Sequence, residues 1–111
     1  MAKLNPYQTR EGPFAAFNEF DAVAKVASTA ASTAENIAVP DEAQVVCLQS
    51  DSDIWYEADA TASIPSADAA SGSSIYLPAG ERRFVICQGV SNISVISAST
   101  ALVSALFWDR D

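Results

Sequence analysis

Two cysteines, Cys47 and Cys87, and a run of carboxylates, Asp51, Asp53, Glu57 and Asp59, are the groups of this 111-residue chain with the most chemical reach. Each cysteine lies inside an apolar run. Their separation matches no zinc-ligand spacing, and the chain has no histidine to complete a metal set or activate a thiol. They are expected to be reduced and buried. A disulfide is the alternative, and its loop would contribute roughly 4 kcal/mol in the chain-entropy model. Strand alternation places Asp53, Trp55, Glu57 and Asp59 on one face and Ile54 and Tyr56 on the other. Calcium takes about six to eight oxygens in one cage, whereas an extended strand spreads its carboxylates along its length. The expectation is a solvated acidic edge. Spacing alone does not favour a carboxylate pair for glycoside hydrolysis. The chain has no Gly-rich phosphate loop and no nucleophile elbow, so no enzyme activity, cofactor or metal is expected.

Lys and Arg number 6 against 14 Asp and Glu, for a net charge of −8. Such a surface repels phosphate backbones and anionic lipid, so neither nucleic acid nor membrane is an expected partner. Against that background Arg82 and Arg83 stand out as candidate ion-pair contacts to an acidic neighbour. The length suits one domain. No run approaches the roughly 18 apolar residues of a membrane helix, and the start, MAKLNPYQTREG, lacks the apolar core of a secretory leader. Asn92-Ile93-Ser94 fits a glycosylation sequon, which without a leader is expected to be fortuitous.

The elements that must position these residues read as β. Apolar runs at Gln44–Gln49, Asp53–Glu57, Ser74–Leu77, Arg83–Gln88, Asn92–Ser97 and Ala101–Trp108 are separated by turn residues, the pattern of a sandwich or barrel. In the last run Leu102, Ser104, Leu106 and Trp108 share one face, and Ala101, Val103, Ala105 and Phe107 the other. Residues 22–38 read as a strand, a small-residue loop and a short strand before Pro40, with a helix over 21–35 as the alternative. The Ser/Ala-rich stretch 58–73 is too long for a hairpin turn and reads as a mobile linker or a contact loop. Ile37-Ala38-Val39-Pro40-Asp41-Glu42 and Ile75-Tyr76-Leu77-Pro78-Ala79-Gly80-Glu81 each precede a cysteine-bearing strand, a weak internal repeat that suits a Greek-key sandwich. The predicted fold is therefore an all-β sandwich, Greek-key or jelly-roll-like, over residues 22–111, with an N-terminal arm over 1–21. Phe14, Phe17 and Phe20 in that arm share one face of a short helical turn after Pro13. They would serve as a strap over the domain's own core or as anchors on a neighbouring subunit.

The second half, about residues 36–108, resembles small virion structural proteins of tailed bacteriophages. The likeness runs through Val45–Gln49, Asp53–Glu57, the stretch Ala58–Ser73, the segment Ile75-Tyr76-Leu77-Pro78-Ala79-Gly80-Glu81, Phe84–Cys87, Ile93–Ser97 and Leu102–Phe107. The cysteines and the Phe-rich arm are not part of it. The resemblance implies a β-sandwich carried on a phage particle. Its expected role is a head decoration, or cement, protein: a homotrimer on the outer surface of the head, made in the bacterial cytoplasm, that binds the major capsid protein and bridges capsomers. On that reading Phe14, Phe17 and Phe20 anchor the arm on the partner, and Arg82 and Arg83 supply ion pairs. A neck, tail or fibre position is the alternative within the virion. Outside it, the alternative is a carbohydrate-binding module using exposed Trp55, Tyr56 or Trp108.

Overall fold

The structure is a computed structural model and describes residues 3–4, 22–65 and 74–110. Its elements are β1 (Lys3–Leu4), β2 (Val23–Thr29), β3 (Glu35–Ala38), β4 (Ala43–Ser50), β5 (Ile54–Ala58), β6 (Ile75–Leu77), β7 (Arg82–Ile86), β8 (Asn92–Ile96) and β9 (Ala101–Arg110). No helix occurs among the described residues, so 22–38 takes the strand reading and not the helical one. Valine and threonine in β2 favour the pleated form, and its inward positions find a buried surface to cover.

The strands pair as a chain doubled on itself. Val23 lies opposite Phe107, Glu35 opposite Val95, Val45 opposite Ile86 and Ile54 opposite Leu77, all antiparallel. These pairs are nested about one tip, the Ser/Ala-rich stretch between β5 and β6. The doubled ribbon then rolls up. One sheet runs β2–β9–β4–β7, with β1 extending the β2 edge, and the other runs β3–β8–β5–β6. This is the topology of an eight-stranded jelly roll, the fold class anticipated from the turn spacing. Lys3 and Leu4 join it by pairing parallel with Asp109 and Arg110. The rest of the predicted arm lies outside the described residues.

Each corner of the roll is a pair of turns tied together. Ser32 N–H donates to the Ser97 carbonyl, Val39 N–H to that of Ser91, and Gly80 N–H to that of Ser50. Three tight turns share one form: Ala43 N–H reaches back to the Pro40 carbonyl, Glu81 N–H to Pro78 and Val90 N–H to Cys87. Their third residues have positive φ, 69° at Glu42, 80° at Gly80 and 82° at Gly89, the signature of type II turns. The two prolines thus hold equivalent places, one leading into β4 and the other into β7, which pair with each other. That gives the internal repeat a structural counterpart. It also sets up a paired prediction. Gly80→Ala should cost about 1 kcal/mol through backbone strain alone, since a Cβ there meets nothing within 4 Å. Glu42→Gly should leave stability level or raise it by up to ~1 kcal/mol. Urea midpoints of the two variants check both signs.

The core lies between the sheets. Val46, Leu48, Val103, Ala105 and Phe107 from one face Ile37, Ile54, Tyr56, Leu77, Ile93 and Val95 from the other. In β9 the inward set is Ala101, Val103, Ala105 and Phe107, all buried, as the alternation predicts. At one open edge Lys25 Nζ crosses to the Ala38 carbonyl on β3 at 2.8 Å.

Candidate interaction surface

Three of the four carboxylates singled out by the sequence, Asp51, Asp53 and Asp59, serve the corners; Glu57 lies within β5. Asp51 Oδ1 accepts from Leu102 N–H at 2.9 Å and Asp53 Oδ1 from Ala79 N–H at 2.8 Å. Asp59 Oδ1 accepts from both Ser91 and Asn92 N–H at 2.9 Å. They are spread over different corners of the roll, each occupied with a neighbouring turn. Their distribution is that of turn caps and not of a cation cage. Asp59 also has φ of 55°, a conformation Asp tolerates better than most residues. Asp59→Ala should therefore cost about 1–2 kcal/mol, and Asp59→Asn, which keeps an acceptor oxygen, well under ~1. Chemical denaturation of the pair distinguishes the cap from mere charge.

The tip of the ribbon is built into the fold as far as residue 65. Ala62 is 2% exposed and its N–H donates to Ser94 Oγ. Ser63 N–H donates to Ser74 Oγ, which in turn donates to Glu57 Oε1. Residues 59–65 thus lie across the outer face of the β3–β8–β5–β6 sheet, where a linker reading would leave them loose. Residues 66–73 lie outside the described set.

Cys47 and Cys87 are both free and buried. They point to opposite faces: Cys47 outward from β4, Cys87 into the core just after β7. No disulfide joins them. Burial pushes the Cys87 thiol above its ordinary range, which suits a packing group and not a nucleophile. Cys87 also lines an apolar cleft of about 340 Å³ between β6 and β7, with Tyr56, Ile75, Val85, Ile86 and Val90.

Arg82 and Arg83 point to opposite faces of β7. The Arg83 guanidinium donates to the Tyr76 carbonyl at 2.7 Å and to Tyr56 Oη at 3.4 Å, and pairs with Glu81 at 3.5 Å. Arg82 is exposed on the outer face of the larger sheet. Phe14, Phe17 and Phe20 lie outside the described residues.

Of the aromatic residues considered for sugar binding, Tyr56 is 6% and Trp108 1% exposed, so neither is the exposed platform that reading needs. Tyr56 points into the core, and Trp108 points outward but is covered. Trp55 remains half-buried on the outer face of the smaller sheet, its ring 5.3 Å from that of Tyr76. The Tyr76 phenol is pushed above its ordinary value by partial burial and by the nearby Asp53 carboxylate.

The feature least anticipated is the outer face of the β2–β9–β4–β7 sheet. Register brings Trp108, Val45 and Ile86 into one row and Ala24, Leu106, Cys47 and Phe84 into the next. Half of this face is apolar without interruption. The next row, Val26, Ser104, Gln49 and Arg82, is mixed, and Leu102 lies beyond it. Exposure reaches 77% at Ile86, 63% at Val26, 53% at Leu102 and 40% at Phe84, while Trp108 and Cys47 are buried. Alternation in β9 announced one strand of this face. Its continuation through β4 and β7 depends on strand order, which no local pattern encodes. Comparison with protein-family models, characterised proteins and solved structures gives no match to this chain.

Proposed function

We propose that the chain is a non-enzymatic structural protein of a tailed-phage particle, a decoration protein that coats the outer head lattice. In this reading it assembles as a homotrimer, binds the major capsid protein and bridges capsomers. The observation that carries the reading is the apolar outer face of the larger sheet. Val26, Leu102 and Ile86 stand exposed on it in a chain of net charge −8. Apolar patches on an otherwise charged small domain mark protein–protein contact surfaces. A jelly roll also suits the role, although the same architecture serves capsid and lectin domains alike, so the fold alone does not choose. Many copies of one modest apolar contact stabilise a lattice through multivalency.

Quantitative mass spectrometry of purified virions from the source phage tests this. The expected result is a copy number comparable with that of the major capsid protein. About six to a few dozen copies would move the protein to the neck, tail or fibres, and absence would end the virion reading. One observation favours a second reading, carbohydrate binding: the Trp55–Tyr76 pair lies beside Asp53 and Glu57 on one sheet face. Titration with a glycan panel that left tryptophan fluorescence unchanged at millimolar sugar would remove it.

A further inference from the structure

Among the described residues β6 ends the smaller sheet and β7 the larger one. The two strands meet at one corner, the turn at 78–81, where Glu81 N–H reaches back to the Pro78 carbonyl. Just past that turn Arg83 ties the two edges together, its guanidinium on β7 donating to the Tyr76 carbonyl on β6 at 2.7 Å. Beyond the tie the edges part, and the cleft of about 340 Å³ opens between them. It reaches down to the core at Leu48, Tyr56, Cys87 and Ile93. At its rim stand Ile75 and Ile86, 50% and 77% exposed.

A concave apolar space with a few polar groups at one end has the form of a small-molecule site. The polar groups here are unevenly placed. Glu57 borders the cleft, but its carboxylate accepts from Ser74 Oγ on the outward side of β5. Tyr56 turns inward, and its hydroxyl meets the Arg83 guanidinium at 3.4 Å. Arg83 also faces Glu81 at 3.5 Å, and its side chain is 31% exposed. A guanidinium has five N–H donors, so these contacts leave donors over for an acceptor that arrives from solvent. The cleft therefore has an apolar body and a cation at its corner end. Its size narrows the choice further. A methylene fills about the share of one liquid water, ~30 Å³, which gives room for a chain of roughly ten carbons. One leucine or phenylalanine side chain from a partner would leave much of that space empty, against the close packing of protein contacts.

We propose that the cleft between β6 and β7 binds a medium-chain aliphatic carboxylate, with the chain against Tyr56, Ile75, Val85 and Cys87 and the head group on Arg83. A charge-assisted bond from the guanidinium fixes the head, and burial of the methylenes supplies the affinity. The site lies at the open edge of the roll, away from the exposed Val26 and Leu102. The inference does not rest on the virion reading.

Calorimetric titration of the full chain with hexanoate, octanoate, decanoate and dodecanoate, each below its micellar concentration, tests this. Saturation at one ligand per chain is expected. Kd should fall about fourfold per added methylene and level off at roughly ten carbons, where the cleft is full. Octanoate should bind several-fold tighter than octanol, and Arg83→Gln should abolish that difference without weakening octanol. Ala58→Trp, at an exposed position of β5 that lines the cleft, should remove binding with the circular dichroism retained. The length series uses the parent chain, so it decides even if both variants fail to fold. No saturable binding, no levelling through dodecanoate, equal affinity for octanoate and octanol, or binding retained by folded Ala58→Trp would each overturn the proposal.

Discussion

Truncating Phe107 to alanine is expected to bring the domain to the margin of folding. Phe107 is fully buried in β9, between β2 and β4, and faces the opposite sheet across the core. Its removal leaves a cavity that neither strand can close, because both are held in register on either side. The expected cost is about 3–5 kcal/mol, set against a total of roughly 5–15 kcal/mol for a domain of this kind. The urea midpoint should fall by a third or more, and m should be unchanged if the native state stays compact. Val26→Ala, on the same sheet but 63% exposed, should cost less than ~0.5 kcal/mol. Equal losses in the two variants would mean that burial in the core does not set the cost at these positions.

The difference between an inward and an outward residue marks how far the sequence speaks. The two-residue alternation of β9 is plain, and it separates Phe107 from Trp108 without ambiguity. What alternation does not say is which set faces the core. Leu102, Leu106 and Trp108 are bulkier than Ala101, Val103 and Ala105, and bulk alone would turn the strand over. The structure places the small residues inside because β9 is flanked on both sides in its sheet and faces large groups across the core, notably Ile54, Tyr56 and Ile93. Alanine on one sheet accommodates tyrosine on the other at close-packed density.

Strand positions were legible for a related reason. Proline, glycine and aspartate mark the corners, and those residues perform the corner's work: Asp53 caps Ala79, and Gly80 takes the positive φ. Pairing was not legible. Nesting of β2 with β9 and β4 with β7 is set by contacts across much of the chain's length, and a local reading carries no record of them. The same holds for Arg83, whose neighbours Tyr56 and Tyr76 are brought to it by that nesting. From the sequence it is indistinguishable from Arg82.

The contact surface supplies the other large effect. Val26 and Leu102 are diagonal neighbours on β2 and β9, since Val26 lies opposite Ser104 and Leu102 opposite Ser28. Both side chains are more than half exposed, so replacing each with aspartate costs the isolated domain little beyond ~0.5 kcal/mol apiece. At a desolvated apolar interface the same change buries two carboxylates with no partner. Each then carries a penalty of several kcal/mol, reduced where the interface admits water. A net loss of about 3 kcal/mol corresponds to more than a hundredfold in Kd. Val26→Asp with Leu102→Asp should therefore abolish occupancy on purified heads while leaving circular dichroism and the urea midpoint near those of the parent. Glu57→Gln, on the outer face of the opposite sheet, should bind as the parent does. If the double variant coats heads normally, the outer face of the larger sheet is not the attachment surface. If both variants fail while folded, attachment depends on the smaller sheet as well, and the Trp55–Tyr76 side becomes the place to look.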